Sequence, residues 1–192
     1  NPERNENLSK TGRLIPQVIG NTAEEVDLLV SKLKSLGYRS VDINFGCPFP
    51  MIAKKQKGAG ILLCPDKVKD VLSVVKLHPD ISFSVKMRLG MTDPLECMEI
   101  LPYLNEAGLK QVTMHARLGK DQYKGDLDLL SFDKFRNACQ VPLVYNGDII
   151  DENSCRKIVE QYPNLQGVMI GRGLLQNPFL VEELIAGAAI PC

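Results

Sequence analysis

The chain has 192 residues, 44% hydrophobic and 24% charged, with 23 Lys and Arg balanced by 23 Asp and Glu. A neutral balance argues against a protein that holds nucleic acid by bulk charge, which needs a basic surplus to release counterions, and no apolar run approaches the ~18 residues of a membrane span. Six scattered cysteines, with neither Cys-x-x-Cys spacing nor clustered histidines, point to reduced thiols and to no metal site or disulfide framework.

In chain order, residues 1–12 read as a polar leader without the apolar core of a signal peptide, so a cytoplasmic protein with no membrane partner is expected. Residues 13–186 read as one domain and 187–192 as a tail. Within the domain, six short β-branched or apolar runs predict strands: 14–19, 41–45, 81–87, 111–115, 142–145 and 167–170. Between them apolar residues recur at helical spacing, as in Val26, Leu29, Val30, Leu33, then Val68, Val71, Leu72, Val75, then Cys155, Ile158, Val159, Tyr162. Thr22 with Glu25 and Asp93 with Glu96 fit capping boxes, and Gly37 and Gly108 stop helices. Pro102 interrupts a helical run, where it costs about 3 kcal/mol, so a kink is expected there.

Strand starts recur about every 30 residues, the length of one βα unit of a parallel sheet. A doubly wound sheet and a βα barrel share that pattern. Polar or Gly-rich signatures follow five strands: Asn44-Phe-Gly-Cys-Pro48, Lys86-Met-Arg-Leu-Gly90, His115-Ala-Arg117, Asn146-Gly-Asp148 and Gly171-Arg-Gly173. Five strands feeding chemistry into one place specify an α/β fold of the (β/α)8 TIM-barrel type. Six units are present where a full barrel needs eight, so the expected fold is an incomplete barrel holding strands 3 to 8. Either about 60 further residues precede Asn1, two units at about 30 each, or the open side docks on another copy. A closed six-strand barrel would overturn that count.

The turns Asn146-Gly-Asp148 and Gly171-Arg-Gly173 follow the last two strands, where barrels bind phosphate with backbone N–H groups; Arg172 adds a charged donor. Tight turns with a surface Arg are the bland alternative. Lys86 ends an apolar strand and could stabilise a developing anion at the barrel mouth, or snorkel as a structural lysine. His115 stands at the next strand end beside Arg117, as a site residue or as a hydrogen-bonded core histidine. His78 falls at the opposite end of the barrel and takes no role. Cys47 is the sharpest candidate: Gly46 and Pro48 hold it on a turn past a strand, before a long flexible loop bearing Lys54, Lys55 and Lys57. There a thiol can serve as nucleophile or proton donor, although most free cysteines are small buried hydrophobes. Cys64, Cys97, Cys139 and Cys155 fit that second role.

Taken together, these motifs resemble the flavin-dependent tRNA-dihydrouridine synthases from about Pro16 to Phe179. The resemblance rests on Pro16-Gln-Val-Ile-Gly20, Asp42-Ile-Asn-Phe-Gly-Cys-Pro48, Lys57-Gly-Ala-Gly60, Val85-Lys-Met-Arg-Leu-Gly90, Thr113-Met-His-Ala-Arg117 with Tyr123-Lys-Gly125, Asn146-Gly-Asp-Ile149 and Gly167-Val-Met-Ile-Gly-Arg-Gly173, in that order. It implies an FMN-binding barrel that reduces the C5=C6 bond of tRNA uridines with NADPH as reductant. On that resemblance Cys47 protonates C5, and Gln17, Lys86 and His115 contact FMN. Asn146, Gly147, Asp148, Gly171 and Arg172 belong to the same cofactor set, around its phosphate. Asn44, Lys54, Lys57, Arg117 and Tyr123 are expected to meet the substrate. The family's first two strands and its C-terminal helical domain have no counterpart here, and Phe49-Pro50 is an uncommon sequel to the Cys-Pro pair. Two alternatives stay open: another FMN barrel acting on a free pyrimidine, and a non-catalytic fragment that binds RNA or a partner.

Overall fold

The computed structural model describes residues 14–188; the polar leader, the end of the tail and Cys192 lie outside the described residues. Six parallel strands form one sheet in sequence order: β1 (Gln17–Val18), β2 (Ser40–Phe45), β3 (Ser82–Gly90), β4 (Gln111–Leu118), β5 (Leu143–Asn146) and β6 (Gly167–Met169). Helices connect them: α1 (Ala23–Ser35), α2 (Pro50–Ala53), α3 (Pro65–Leu77), α4 (Glu96–Glu106), α5 (Leu129–Ala138) and α6 (Glu152–Gln161). Two more, α7 (Arg172–Gln176) and α8 (Leu180–Ala188), follow β6. Among the described residues β1 and β6 each have one strand neighbour, so the sheet is open and the barrel incomplete.

Each strand alternates. On β2 and β3, Val41, Ile43, Phe45, Phe83, Val85, Met87 and Leu89 turn toward the helices and are at most 1% exposed. They pack with Val26, Val30, Val71, Ile100 and Phe132 into one apolar core. The residues between them, Asp42, Asn44, Ser84, Lys86 and Arg88, face the other way, into what a complete barrel would enclose. Register puts Asn44 opposite Lys86, Lys86 opposite Thr113, Arg88 opposite His115, and His115 opposite Asn146, so the inner face is a row of polar groups.

Three local details differ from the sequence expectations. β4 runs three residues past His115, because β3 and β4 pair on to Gly90 and Leu118 across an irregularity in the ladder, so His115 and Arg117 stand on the strand itself. The loop after Cys47 is instead α2 followed by a 3-10 turn, Gly58–Leu63. Of the two proposed capping boxes, the one at Thr22 is half made, since Thr22 accepts the Glu25 N–H but Glu25 turns to Asn21; at Asp93 the pair is reciprocal, with Asp93 Oδ1 taking the Leu95 N–H in place of that of Glu96, and the Glu96 carboxylate taking the Asp93 N–H together with those of Met91 and Thr92. Gly37 and Gly108 stop their helices with φ of +90° and +79°, and α4 continues through the exposed Pro102.

Candidate active site

The Gly46-Cys47-Pro48 turn leaves β2 and is held on every side. Asn44 Oδ1 accepts the N–H groups of Gly46 (3.0 Å) and Cys47 (2.8 Å), an Asx arrangement that folds the chain back. Arg88 Nε donates to the Gly46 carbonyl at 3.0 Å, and the Ala59 N–H donates to the Cys47 carbonyl at 2.9 Å. Gly58, at φ +57°, packs against the turn so closely that a Cβ there would stand 2.5 Å from the Cys47 carbonyl oxygen. Any side chain at 58 would displace Cys47. This is the physical content of the Lys57-Gly-Ala-Gly60 motif.

Beneath the turn, Asn44 Nδ2 donates to Gln17 Oε1 at 2.6 Å, and Gln17 Nε2 donates to Asp42 at 2.6 Å. Burial lowers the Lys86 ammonium, and the neighbouring Arg88 lowers it further, against the opposing pull of Asp42 and Cys47. Burial, with Arg88, Lys86 and Arg117 around it, pushes His115 down to about 3. His115 is therefore a neutral imidazole at physiological pH. Arg117 Nη1 lies 3.4 Å from its Nε2 and can only donate, so the ring carries its proton on Nδ1.

After β5 the chain turns at Gly147, where a Cβ would meet Leu127 and the Tyr145 hydroxyl, and at Asp148, which adopts φ +42°. Asp148 binds two guanidinium groups, Arg117 by both carboxylate oxygens and Arg172 at 2.7 Å, and hydrogen bonding to Arg117 lowers its pKa. The Tyr123 ring has two guanidinium groups near it, Arg88 at 5.3 Å and Arg172 at 4.8 Å from its centroid.

These elements enclose one cavity of about 310 Å³. Of the residues singled out from the sequence, Cys47, Gln17, Asn44, Lys86, His115, Tyr123, Asn146, Gly147, Asp148, Gly171 and Arg172 all line it. Lys54, Lys57 and Arg117 do not: Lys54 stands exposed past α2, Lys57 pairs with Glu25, and Arg117 is buried on Asp148 and the Gly125 carbonyl. Arg88 was missed. It is 1% exposed, donates to the Gly46, Leu118 and Gln122 carbonyls with no carboxylate among its partners, and lines the cavity. Its place two residues after Lys86, on the same face of a strand, was the available signal. Three cations, Lys86, Arg88 and Arg172, thus face a cavity whose lining includes a single carboxylate, Asp148. Among the described residues, no cluster of His, Cys, Asp and Glu could hold a metal ion, and no helix is long and apolar enough to cross a membrane.

Comparison with known proteins matches residues 2–189 to the dihydrouridine synthase family. The chain belongs to that family. A probable tRNA-dihydrouridine synthase of Staphylococcus aureus is 31% identical over 175 residues, covering 88% of this chain and 53% of that protein. The tRNA-dihydrouridine synthase B of Yersinia pestis is 28% identical over 169 residues, covering 88% and 52%. The chain spans about half the length of these dihydrouridine synthases. Among solved structures, morphinone reductase in complex with tetrahydroNAD superposes with a TM-score of 0.60 at 15% identity, covering 87% of this chain and 49% of that one. N-acetylneuraminate lyase from Mycoplasma synoviae gives 0.62 at 15% identity, covering 90% and 57%. At such identities the likeness concerns the fold alone, and it supports the incomplete βα barrel.

Proposed function

We propose that this chain carries the FMN-binding barrel of an enzyme that reduces the C5=C6 bond of a uridine in tRNA to dihydrouridine, with NADPH as reductant. The observation that carries the reading is the convergence of Cys47, Lys86 and His115 on the same cavity as Arg172 and the glycines after β5 and β6. The donor set fits FMN: a phosphate dianion meets a surplus of cations, the volume falls in the range of small-molecule pockets, and a Cβ at Gly171 would meet nothing within 4 Å, which leaves room for a ligand. Arg172, Gly171, Gly147 and Asn146 would hold the phosphate, and Asp148 would aim Arg172 at it. Gln17, Lys86 and neutral His115 would meet the ring.

The chemistry that FMN would supply, when held there and reduced, is a hydride for C6 of the uridine. Cys47 supplies the proton to C5 from Sγ, completing addition of two hydrogens across the double bond. Lys86 contributes positive charge where negative charge develops during the transfer. Asn44 and Tyr123, on the cavity wall, would meet the uracil, and the exposed Lys54 would meet the tRNA backbone.

A flavin absorbance scan of the purified chain tests the cofactor, and dihydrouridine analysis of tRNA incubated with the chain and NADPH tests the reaction. In an FMN titration Arg172→Ala weakens binding by at least tenfold, since a charge-assisted hydrogen bond is worth about 1.5–3 kcal/mol. Equal affinity in the two proteins refutes the phosphate assignment; no flavin bound and no dihydrouridine formed refutes the function.

A further inference from the structure

We propose that Asp42 is a positioning residue for the Cys47 turn, acting through the side-chain amides of Gln17 and Asn44. Asp42 lies on the inner face of β2, opposite Gln17 of β1 and Ser84 of β3. Its carboxylate accepts the Ser84 hydroxyl at 2.5 Å and Gln17 Nε2 at 2.6 Å. From Gln17 the chain of bonds continues through Oε1 to Asn44 Nδ2, and from Asn44 Oδ1 to the Gly46 and Cys47 N–H groups.

The direction of this chain is set at its two ends. A carboxylate only accepts and a backbone N–H only donates, so Gln17 must turn its NH2 to Asp42 and Asn44 must turn its oxygen to the turn. Reversing either amide would bring two donors or two acceptors face to face. Without the carboxylate, Gln17 loses the partner that orients it, and Asn44 loses a fixed acceptor. Keeping the carboxylate there is costly: burial raises its pKa, opposed by the bonds from Ser84 and Gln17 and by the charge of Lys86. The catalytic consequence rests on Cys47 being the acid of the reaction proposed above. The positional claim does not, because it concerns the turn itself.

Alkylation of the full chain by iodoacetamide, resolved by peptide mass spectrometry, reads the turn directly, with Cys64 as an internal reference for general loosening. In Asp42→Ala the turn opens and Cys47 reacts at least threefold faster, while Cys64 stays within 1.5-fold of wild type, on the order of the scatter expected for a site outside the network. Asp42→Asn stays within about twofold, since an Asn can keep its oxygen on Gln17 Nε2 and give its NH2 to Ser84 Oγ. Gln17→Leu cuts the same chain at an exposed link and gives an acceleration of the same sense, which keeps the test decisive if Asp42→Ala does not fold. Unchanged Cys47 reactivity in the alanine and leucine variants overturns the proposal, as does a parallel rise at Cys64, or an asparagine variant as fast as the alanine one. The assay needs neither flavin nor tRNA, so failure of wild type to bind FMN or reduce uridine counts against the function above and leaves this inference standing.

Discussion

The two faces of the same six strands make opposite demands on their residues. On the helix side Val41, Ile43, Phe83, Val85, Met87, Val112 and Met114 are sealed against helices, and any polar atom there would lack a partner. The inner side, one residue away along each strand, carries Asp42, Asn44, Arg88, His115 and Asn146, each hydrogen-bonded to a polar group of a strand or turn, together with the half-buried Lys86. The difference teaches that in this fold stability and chemistry are separated by the two-residue period of a strand. A substitution should therefore be felt as lost stability on one face and as lost chemistry on the other.

The largest effect expected breaks the comparison on the chemical side. Cys47→Ala lowers uridine reduction by roughly 10²–10⁴-fold, the usual worth of a general acid, with FMN affinity and thermal midpoint unchanged. Single-turnover kinetics checks it, and turnover equal to wild type sinks the assignment. On the helix side the counterpart is Phe83→Ala, which removes a side chain 1% exposed and costs about 3–5 kcal/mol in urea unfolding. A smaller loss would mean that the helix-facing core collapses around the gap.

His115 tests the inner face by pH. Its folded pKa, about 3, lies below the ordinary histidine value, so the unfolded chain binds the proton first as pH falls. Stability is full above about pH 6.5 and declines below it until about pH 3, with a loss of about 3 kcal/mol from this group by pH 4. In His115→Gln that part of the decline disappears, and urea midpoints of the two proteins between pH 7 and 4 measure it. Parallel curves would mean that His115 is protonated as readily folded as unfolded. The smallest effect sharpens the contrast. Thr113 is an inner-face residue whose hydroxyl is buried without a hydrogen-bond partner. Thr113→Val should stabilise the chain by about 1 kcal/mol, because it removes an unsatisfied group and keeps the shape. A destabilised Thr113→Val would show that the hydroxyl has a partner in solution.

Much of this was legible beforehand. Short β-branched or apolar runs marked all six strands, helical spacing marked the helices over 23–35, 65–77 and 152–161, and Gly37 and Gly108 marked two helix ends, because burial and backbone sterics act over a few residues. The Cys47, Asn146 and Gly171 turns were legible for the same reason: glycine, proline and asparagine declare a tight turn wherever it is used. What tertiary structure alone decided is which polar groups spend their charge on each other. Arg117 and Lys57 were expected at the substrate, but Asp148, 31 residues away, claims the first and Glu25, 32 residues away, claims the second. Arg88 went unnoticed because its three acceptors are backbone carbonyls, which any sequence supplies and none announces. Strand alternation is a local property and can be read from order; the choice of partner for a buried charge depends on which loops the folded sheet brings within about 3 Å, the reach of a hydrogen bond.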